Sequence, residues 1–145
     1  YDSAYIYDSA QVYDSAQVYG SAQVYDSALV YGTAQVYGTA RVCGTARVCG
    51  AGDVASQDHV AWVDRVGIRH SMTLHRIRTD DGYGWRINAG CRFFEASTVH
   101  DVCDAVRVNV HAGPTEWKNV DDATIDAWSR QVEAALVYLA SMVAS

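Results

Sequence analysis

The sequence predicts a β-solenoid followed by a small α+β domain, and three observations predict it. A six-residue period built on Tyr-Asp-Ser-Ala-Gln-Val runs from Tyr1 to about Val54; it decays between Gly52 and Val66; and a hairpin pattern with two helical patterns follows. A fixed short period is the signature of a stacked repeat, because each unit buries its apolar face only against its neighbours. We therefore place a repeat domain at residues 1–57 and an α+β capping or oligomerisation domain at 58–145.

Within each repeat an aliphatic residue recurs at Ile6, Val12, Val18, Val24, Val30, Val36, Val42, Val48 and Val54. A small residue stands two positions earlier, from Ala4 to Ala46. A spacing of two puts both on one face of an extended strand and turns the residue between them outward. Tyr-Asp-Ser or Tyr-Gly-Thr makes the corner. Its middle position holds Asp, or Gly at Gly20, Gly32, Gly38, Gly44 and Gly50, residues that tolerate a positive φ.

The pattern aliphatic, any, any, any, small, any resembles the hexapeptide repeat of left-handed parallel β-helices. That resemblance implies a triangular coil of three hexapeptides, with residues 18 apart stacked. It departs from the family where Tyr7, Tyr13, Tyr19, Tyr25, Tyr31 and Tyr37 follow the aliphatic residue. Stacking by 18 then predicts three corner columns: Tyr1, Tyr19 and Tyr37; Tyr7, Tyr25 and Cys43; Tyr13, Tyr31 and Cys49. Rings about 4.8 Å apart, the spacing of a strand ladder, either shield the corners or form a ridge that binds glycans or a partner.

Beyond Val54 the period fails, because Asp58 and Asp64 would occupy the inward small position, where an unpaired carboxylate is destabilising. Strands are expected at 59–63, 72–79 and 85–89, the last two joined by the turn sequence Asp80-Asp81-Gly82-Tyr83-Gly84. Trp85, Ile87 and Ala89 share one strand face and Arg86 and Asn88 the other, as in a half-buried sheet. Ser97 or Thr98 caps a helix that carries Val99, Val102, Cys103 and Val106 on one side, with Asp101 in its first turn. Gly113-Pro114 breaks the chain, and Asp121 or Asp122 opens a final helix. In that helix Ile125, Trp128, Val132, Ala135, Leu139 and Met142 form an apolar seam, widened by Leu136, Val137 and Val143. The seam serves either its own domain's core or self-association between copies.

The segments Val66-Gly67-Ile68-Arg69-His70, Thr73-Leu74-His75-Arg76 and Ile87-Asn88-Ala89-Gly90-Cys91-Arg92-Phe93 resemble the small capping domain of uncharacterised hexapeptide-repeat proteins encoded by phages and prophages. The resemblance spans about residues 58–106 and implies a phage-related, non-enzymatic protein.

The chain carries a net charge of −6; residues 1–66 hold seven acids against Arg41, Arg47 and Arg65, and the remainder ten acids against eight bases. Neither part offers the basic face that nucleic-acid binding requires. Asp8 over Asp26 starts an acidic stripe of the kind that mimics DNA, but Gly replaces Asp in most later units. No stretch has the length of a membrane span. The chain starts inside a repeat, so an uncovered strand edge is expected to meet either earlier repeats or another copy.

Cys43 and Cys49 fall on neighbouring corners, up to about 20 Å of extended chain apart, too far for a disulfide. Cys91, at a strand end, and Cys103, on a helix, are expected to be buried. His70, His75, Cys91, His100 and Cys103 are zinc-ligand types, yet no CxxC or HxxxH spacing gathers them. No catalytic residue, metal or cofactor is assigned. A hexapeptide-type acyltransferase needs a general-base His near the repeats, and His59 alone stands there; His70 and His75 lie on or beside strands of the small sheet. Thr33, Thr39 and Thr45 fall on three different faces, which argues against a flat ice-binding array. The expected role is a structural or interaction rod that self-assembles through its first coil edge or the helix seam, located in the bacterial cytoplasm, a phage particle or the cell surface.

Overall fold

The computed structural model describes residues 4–66, 70–89, 92–112 and 120–143. The repeats form nine two-residue strands: β1 Tyr5–Ile6, β2 Gln11–Val12, β3 Gln17–Val18, β4 Gln23–Val24, β5 Leu29–Val30, β6 Gln35–Val36, β7 Arg41–Val42, β8 Arg47–Val48 and β9 Asp53–Val54. They assemble into three parallel three-stranded sheets, β1-β4-β7, β2-β5-β8 and β3-β6-β9. Partners lie 18 residues apart throughout, as in Ile6 with Val24 and Val24 with Val42. This is a solenoid-like stack, with the interior the period predicts: Ala22, Val24, Ala28, Val30, Ala34 and Val36 onward to Val54 are fully buried. Backbone bonds run between turns at a nearly constant length, for example Tyr7 N to Val24 O and Tyr25 N to Val42 O, both 3.0 Å.

The corner residues sit in the left-handed region, with φ of 57° at Asp8, 56° at Asp14 and 58° at Asp26. Two of these aspartates tie adjacent turns together: Asp14 Oδ2 accepts from Gly32 N at 3.3 Å and Asp26 Oδ2 from Gly44 N at 3.2 Å. The last corner residue in each column is Gly, for a steric reason. A Cβ on Gly38 would collide with the Ala55 carbonyl oxygen, and at Gly44 and Gly50 it would lie 2.8 Å from the Trp62 indole nitrogen and from Arg86 Nη1. At Gly38 backbone leaves no room for a side chain, whereas at Gly44 and Gly50 the Trp62 or Arg86 side chain would have to shift to admit one.

A 3-10 turn at Gln57–His59 ends the repeats, so His59 belongs to this turn and the following strand begins one residue later. β10 Val60–Val66, β11 His70–Thr79, β12 Gly82–Ala89 and β13 Arg92–Ala96 then form an antiparallel meander in that order. β12 is longer than the sequence pattern suggested because the turn closes on Asp80 and Asp81 alone, with Thr79 opposite Gly82, and β11 is longer at its start, where His70 pairs with Val66 of β10. β13 was not anticipated; in Arg-Phe-Phe-Glu-Ala the exposed Phe93 and half-buried Phe94 blur any hydrophobic alternation. The expected inward conflict of Asp58 and Asp64 does not arise, since both are exposed after the repeats stop.

Helix α1, Val99–Ala112, is capped by Thr98, whose Oγ1 accepts from Asp101 N at 3.0 Å. Helix α2, Asp122–Met142, starts at Asp121, whose Oδ1 accepts from Thr124 N at 2.8 Å. Gly113-Pro114 lies outside the described residues. Both helices pack on one sheet face, where Met72, Leu74, Trp85 and Ile87 join Val102, Val106, Leu136 and Leu139 in one core. The other sheet face lies on the last turn of the repeats, and Val60 is buried within the repeat core itself. The half-buried sheet read from the sequence is therefore covered on both sides: His75, Thr73 and Asn88, on its polar face, are buried.

Substituting Gly38 by Ala is expected to destabilise the fold by about 2 kcal/mol or more, from the left-handed backbone and the clash with Ala55. Gly20 faces only the backbone of Gly38, in the arrangement that Asp14 already adopts over Gly32, so Gly20→Asp should change stability far less. Chemical denaturation of the two variants side by side measures the difference.

Candidate functional site

The polar chemistry of the chain converges where the sheet meets the last turn of repeats. Asp53 occupies the outward strand position that Gln17 and Gln35 hold in its sheet, and it is nevertheless buried. Its Oδ1 accepts from Tyr37 Oη at 2.7 Å and from Arg76 Nη2 at 2.7 Å, while Arg78 Nη1 stands 3.5 Å from Oδ2. The same arginines bind backbone carbonyls: Arg76 Nε on Asp53 O at 3.0 Å, and Arg78 on Gly52 O at 3.1 Å and Thr33 O at 2.8 Å. Burial pushes the Asp53 carboxyl up, but the hydrogen bonds from Tyr37 and Arg76 and the charge of Arg76 outweigh it, and it titrates below the ordinary range. Its hydrogen bond in turn pushes the Tyr37 phenol up to about 12.

A second cluster lies beside it. His75 is fully buried; its Nδ1 donates to Arg76 O at 3.0 Å, leaving Nε2 to accept from Cys49 N at 3.5 Å and Asn88 Nδ2 at 3.3 Å. Asn88 also donates to Arg47 O at 3.1 Å and accepts from Arg86 Nε at 2.7 Å and the Cys49 thiol at 3.4 Å. Arg86 continues outward to Glu95 at 3.0 Å and lies over the Phe93 ring. Cys, His and Asn together invite comparison with a nucleophile and its base, but here the Cys49 thiol, His75 Nε2 and Asn88 are engaged in bonds that join the sheet to the repeats. Burial, helped by the charge of Arg86, pushes His75 down to about 4, so it stays neutral as an acceptor.

The tyrosine columns form as predicted for the described rings. Tyr7 stacks on Tyr25 at 5.0 Å, Tyr13 on Tyr31 at 5.1 Å and Tyr19 on Tyr37 at 5.1 Å, within 7° of parallel; Tyr1 lies outside the described residues. Cys43 and Cys49 take the next places after Tyr25 and Tyr31 in two of the columns. The neighbouring Cys43 thiol pushes Tyr25 up to about 12, and burial followed by the Cys49 thiol does the same to Tyr31. Tyr19 donates to Gln35 Oε1 at 3.2 Å. Because each ring covers its neighbour's face, the columns offer mainly edges to solvent.

The helix seam is divided by the fold. Val132 and Leu139 are buried in the chain's own core, Ile125 and Trp128 pack against it, and Met142 is exposed, so the two buried residues are not available to another copy. Exposed Val137 and Tyr138 lie on the same helix, and shallow depressions beside Tyr138 run along Trp62 and Met142. The zinc-ligand types are not gathered: His75 is in the junction, Cys103 in the helix–sheet core and His100 on the exposed face of α1, while Cys91 and the His70 side chain lie outside the described residues. Among the described residues His100, Asp101 and Asp104 do cluster, with His100 on Asp104 at 3.1 Å and Arg107 on Asp104 at 2.8 Å. His59 Nδ1 accepts from Ala55 N at 3.1 Å and so serves the turn that ends the repeats. No helix among the described residues is long and apolar enough to cross a membrane.

Asp53, Arg76, Arg78, Arg86 and Asn88 were not singled out by sequence reasoning. The available signal was Asp53 itself, an acid where its column otherwise holds Gln, followed by the alternating cations Arg76 and Arg78 on a strand. No protein-family model, curated protein or solved structure matches this chain.

Replacing Asp53 by Asn leaves the part-buried Arg76 without its counter-charge and is expected to lower stability by about 3 kcal/mol, the low end for a buried pair; Arg78→Ala, at a more exposed partner, should do less. Thermal or urea unfolding reads both. His75 binds a proton in the unfolded chain near its ordinary value of 6.5 but in the fold only near 4, so stability is full above 6.5 and falls as pH drops toward 4. The expected loss over that window is about 3 kcal/mol. Unfolding curves from pH 7 to 4 should show this slope, and His75→Gln should flatten it.

Proposed function

We propose that this chain is a structural or interaction protein, a capped rod segment that self-assembles. The observation carrying this reading is the fate of the sheet's polar face. Instead of framing a solvent-open cleft, Thr73, His75 and Asn88 on that face, together with Arg76 and Arg78 of the same sheet, hydrogen-bond to the repeats, as a terminal cap does in a repeat protein. The 18-residue register and positive-φ corners support a triangular left-handed β-helix for the rod. The likeness of segments within 58–106 to caps of phage- and prophage-encoded proteins supports a phage-related setting.

Self-assembly is supported by the exposed apolar side chains Val137, Tyr138 and Met142 on the last helix, at the capped end of the stack. A glycan-binding ridge is less favoured, because stacking occupies the ring faces that sugars use. An acyltransferase reading gains no support from His59, whose Nδ1 is tied to the turn.

Sedimentation velocity of the purified chain at micromolar concentration is expected to give a mass above the 15.8 kDa of one copy. A single species at the monomer mass would overturn the self-assembly reading.

A further inference from the structure

The stacked phenols place reactive groups in fixed pairs, and we propose that Tyr7 with Tyr25, and Tyr13 with Tyr31, are oxidative cross-linking sites that staple successive turns of the rod. The two pairs stand 5.0 and 5.1 Å apart, centroid to centroid, with planes 7° and 5° from parallel. Each ring carbon beside a hydroxyl therefore faces its counterpart on the next turn. Tyr7 and Tyr13 are 44% and 42% exposed at their corners, so an oxidant reaches them and the outward rings have room to tilt into bonding distance. Among the described columns the third is held differently: Tyr19 and Tyr37 are tethered through their hydroxyls to Gln35 and Asp53, which restrains that tilt.

The chemistry needs a one-electron oxidant, such as a peroxidase's metal-oxo centre or a photogenerated metal complex, two equivalents per link. Each phenol gives up one electron and its hydroxyl proton to become a phenoxyl radical. The two radicals then form one carbon–carbon bond between ring positions adjacent to the oxygens, and the hydrogens on those carbons move to the oxygens, restoring both phenols. The net loss is two electrons and two protons, and no atom is added. The product joins residues 18 apart across two turns, and a covalent closure of that kind restricts the unfolded chain. Cys43 ends the Tyr7–Tyr25 column and Cys49 the Tyr13–Tyr31 column, and their thiols compete for the radical, so the double variant Cys43→Ser, Cys49→Ser is the background for the test.

The experiment is brief photo-oxidation of the dilute double variant Cys43→Ser, Cys49→Ser with a ruthenium tris-bipyridyl complex and persulfate, followed by cleavage before aspartate and mass spectrometry. Cleavage at Asp8, Asp14 and Asp26 separates the partners of each pair. The expected result is blue dityrosine fluorescence and peptides lighter by two hydrogens that link Tyr7 to Tyr25 and Tyr13 to Tyr31. Adding Tyr25→Phe should remove the first link and leave the second, and oxidation in concentrated urea should lose the pairing preference. Links that scatter over all tyrosines, that join mainly different chains, or that persist unchanged in Tyr25→Phe or in urea would overturn the proposal. Circular dichroism of the Tyr25→Phe variant before oxidation confirms that the comparison is made between folded proteins.

Discussion

The in-register pairing of residues 18 apart is the constraint from which the rest follows. Once Val24 must lie on Val42 and Gln23 on Arg41, every outward position becomes a column as well as a side chain. Tyrosines must stack, corner aspartates must meet the backbone of the next turn, and any change in one repeat is felt by its neighbours above and below. Asp26 illustrates the economy: a residue suited to a left-handed corner also provides the acceptor for Gly44 N. The interior asks for little beyond Ala and Val, because the strands are two residues long and the backbone bonds between turns do most of the positioning.

A stack of this kind has no intrinsic stop, and the junction shows what stopping it requires. The last turn presents unpaired backbone groups, and the sheet meets them with side chains matched one by one: Thr73 Oγ1 accepts from Arg47 N, His75 from Cys49 N, and Asn88 donates to Arg47 O. Arg78 N bonds Ala51 O, and Gly52 pairs with Ile77, so the two regions also share backbone bonds. Buried polar groups are tolerated only when satisfied, and here the need for satisfaction fixes where the sheet sits. An apolar face would have adhered to the stack without choosing a register. The buried ion pair of Asp53 and Arg76 adds a further geometric demand, since a displaced sheet would strand both charges.

Much of this was legible in the sequence, for a physical reason. Periodicity states which residues are equivalent, and equivalence in a stack is contact, so the tyrosine pairs and the fully buried Val series could be named in advance. The helix starts were legible because Thr98 and Asp121 cap locally, within three residues of their partners. What alternation does not say is what a face meets. Arg86 and Asn88 read as a solvated face because they are polar, and only the approach of the repeats turned that face inward. Asp53 went unread for the same reason, and of the two roles open to the α2 seam, Val132 and Leu139 took the one in their own core, against the sheet and α1. β13 was missed because a short strand with phenylalanines on both faces carries no period to read.

The side-chain bonds described between the sheet and the repeats engage residues from Thr33 onward. Upstream of that point one hexapeptide is nearly a copy of the next, and a whole unit is a whole number of codons. Recombination or replication slippage within this stretch of coding sequence would preserve the reading frame, the inward Ala and Val, and the corner geometry, and would alter only how many units stand above the junction. Length is then a trait that can be inherited in steps and selected separately from everything at the closed end. A lineage could adjust the reach of such a molecule within a few generations while its most exacting contacts stayed untouched.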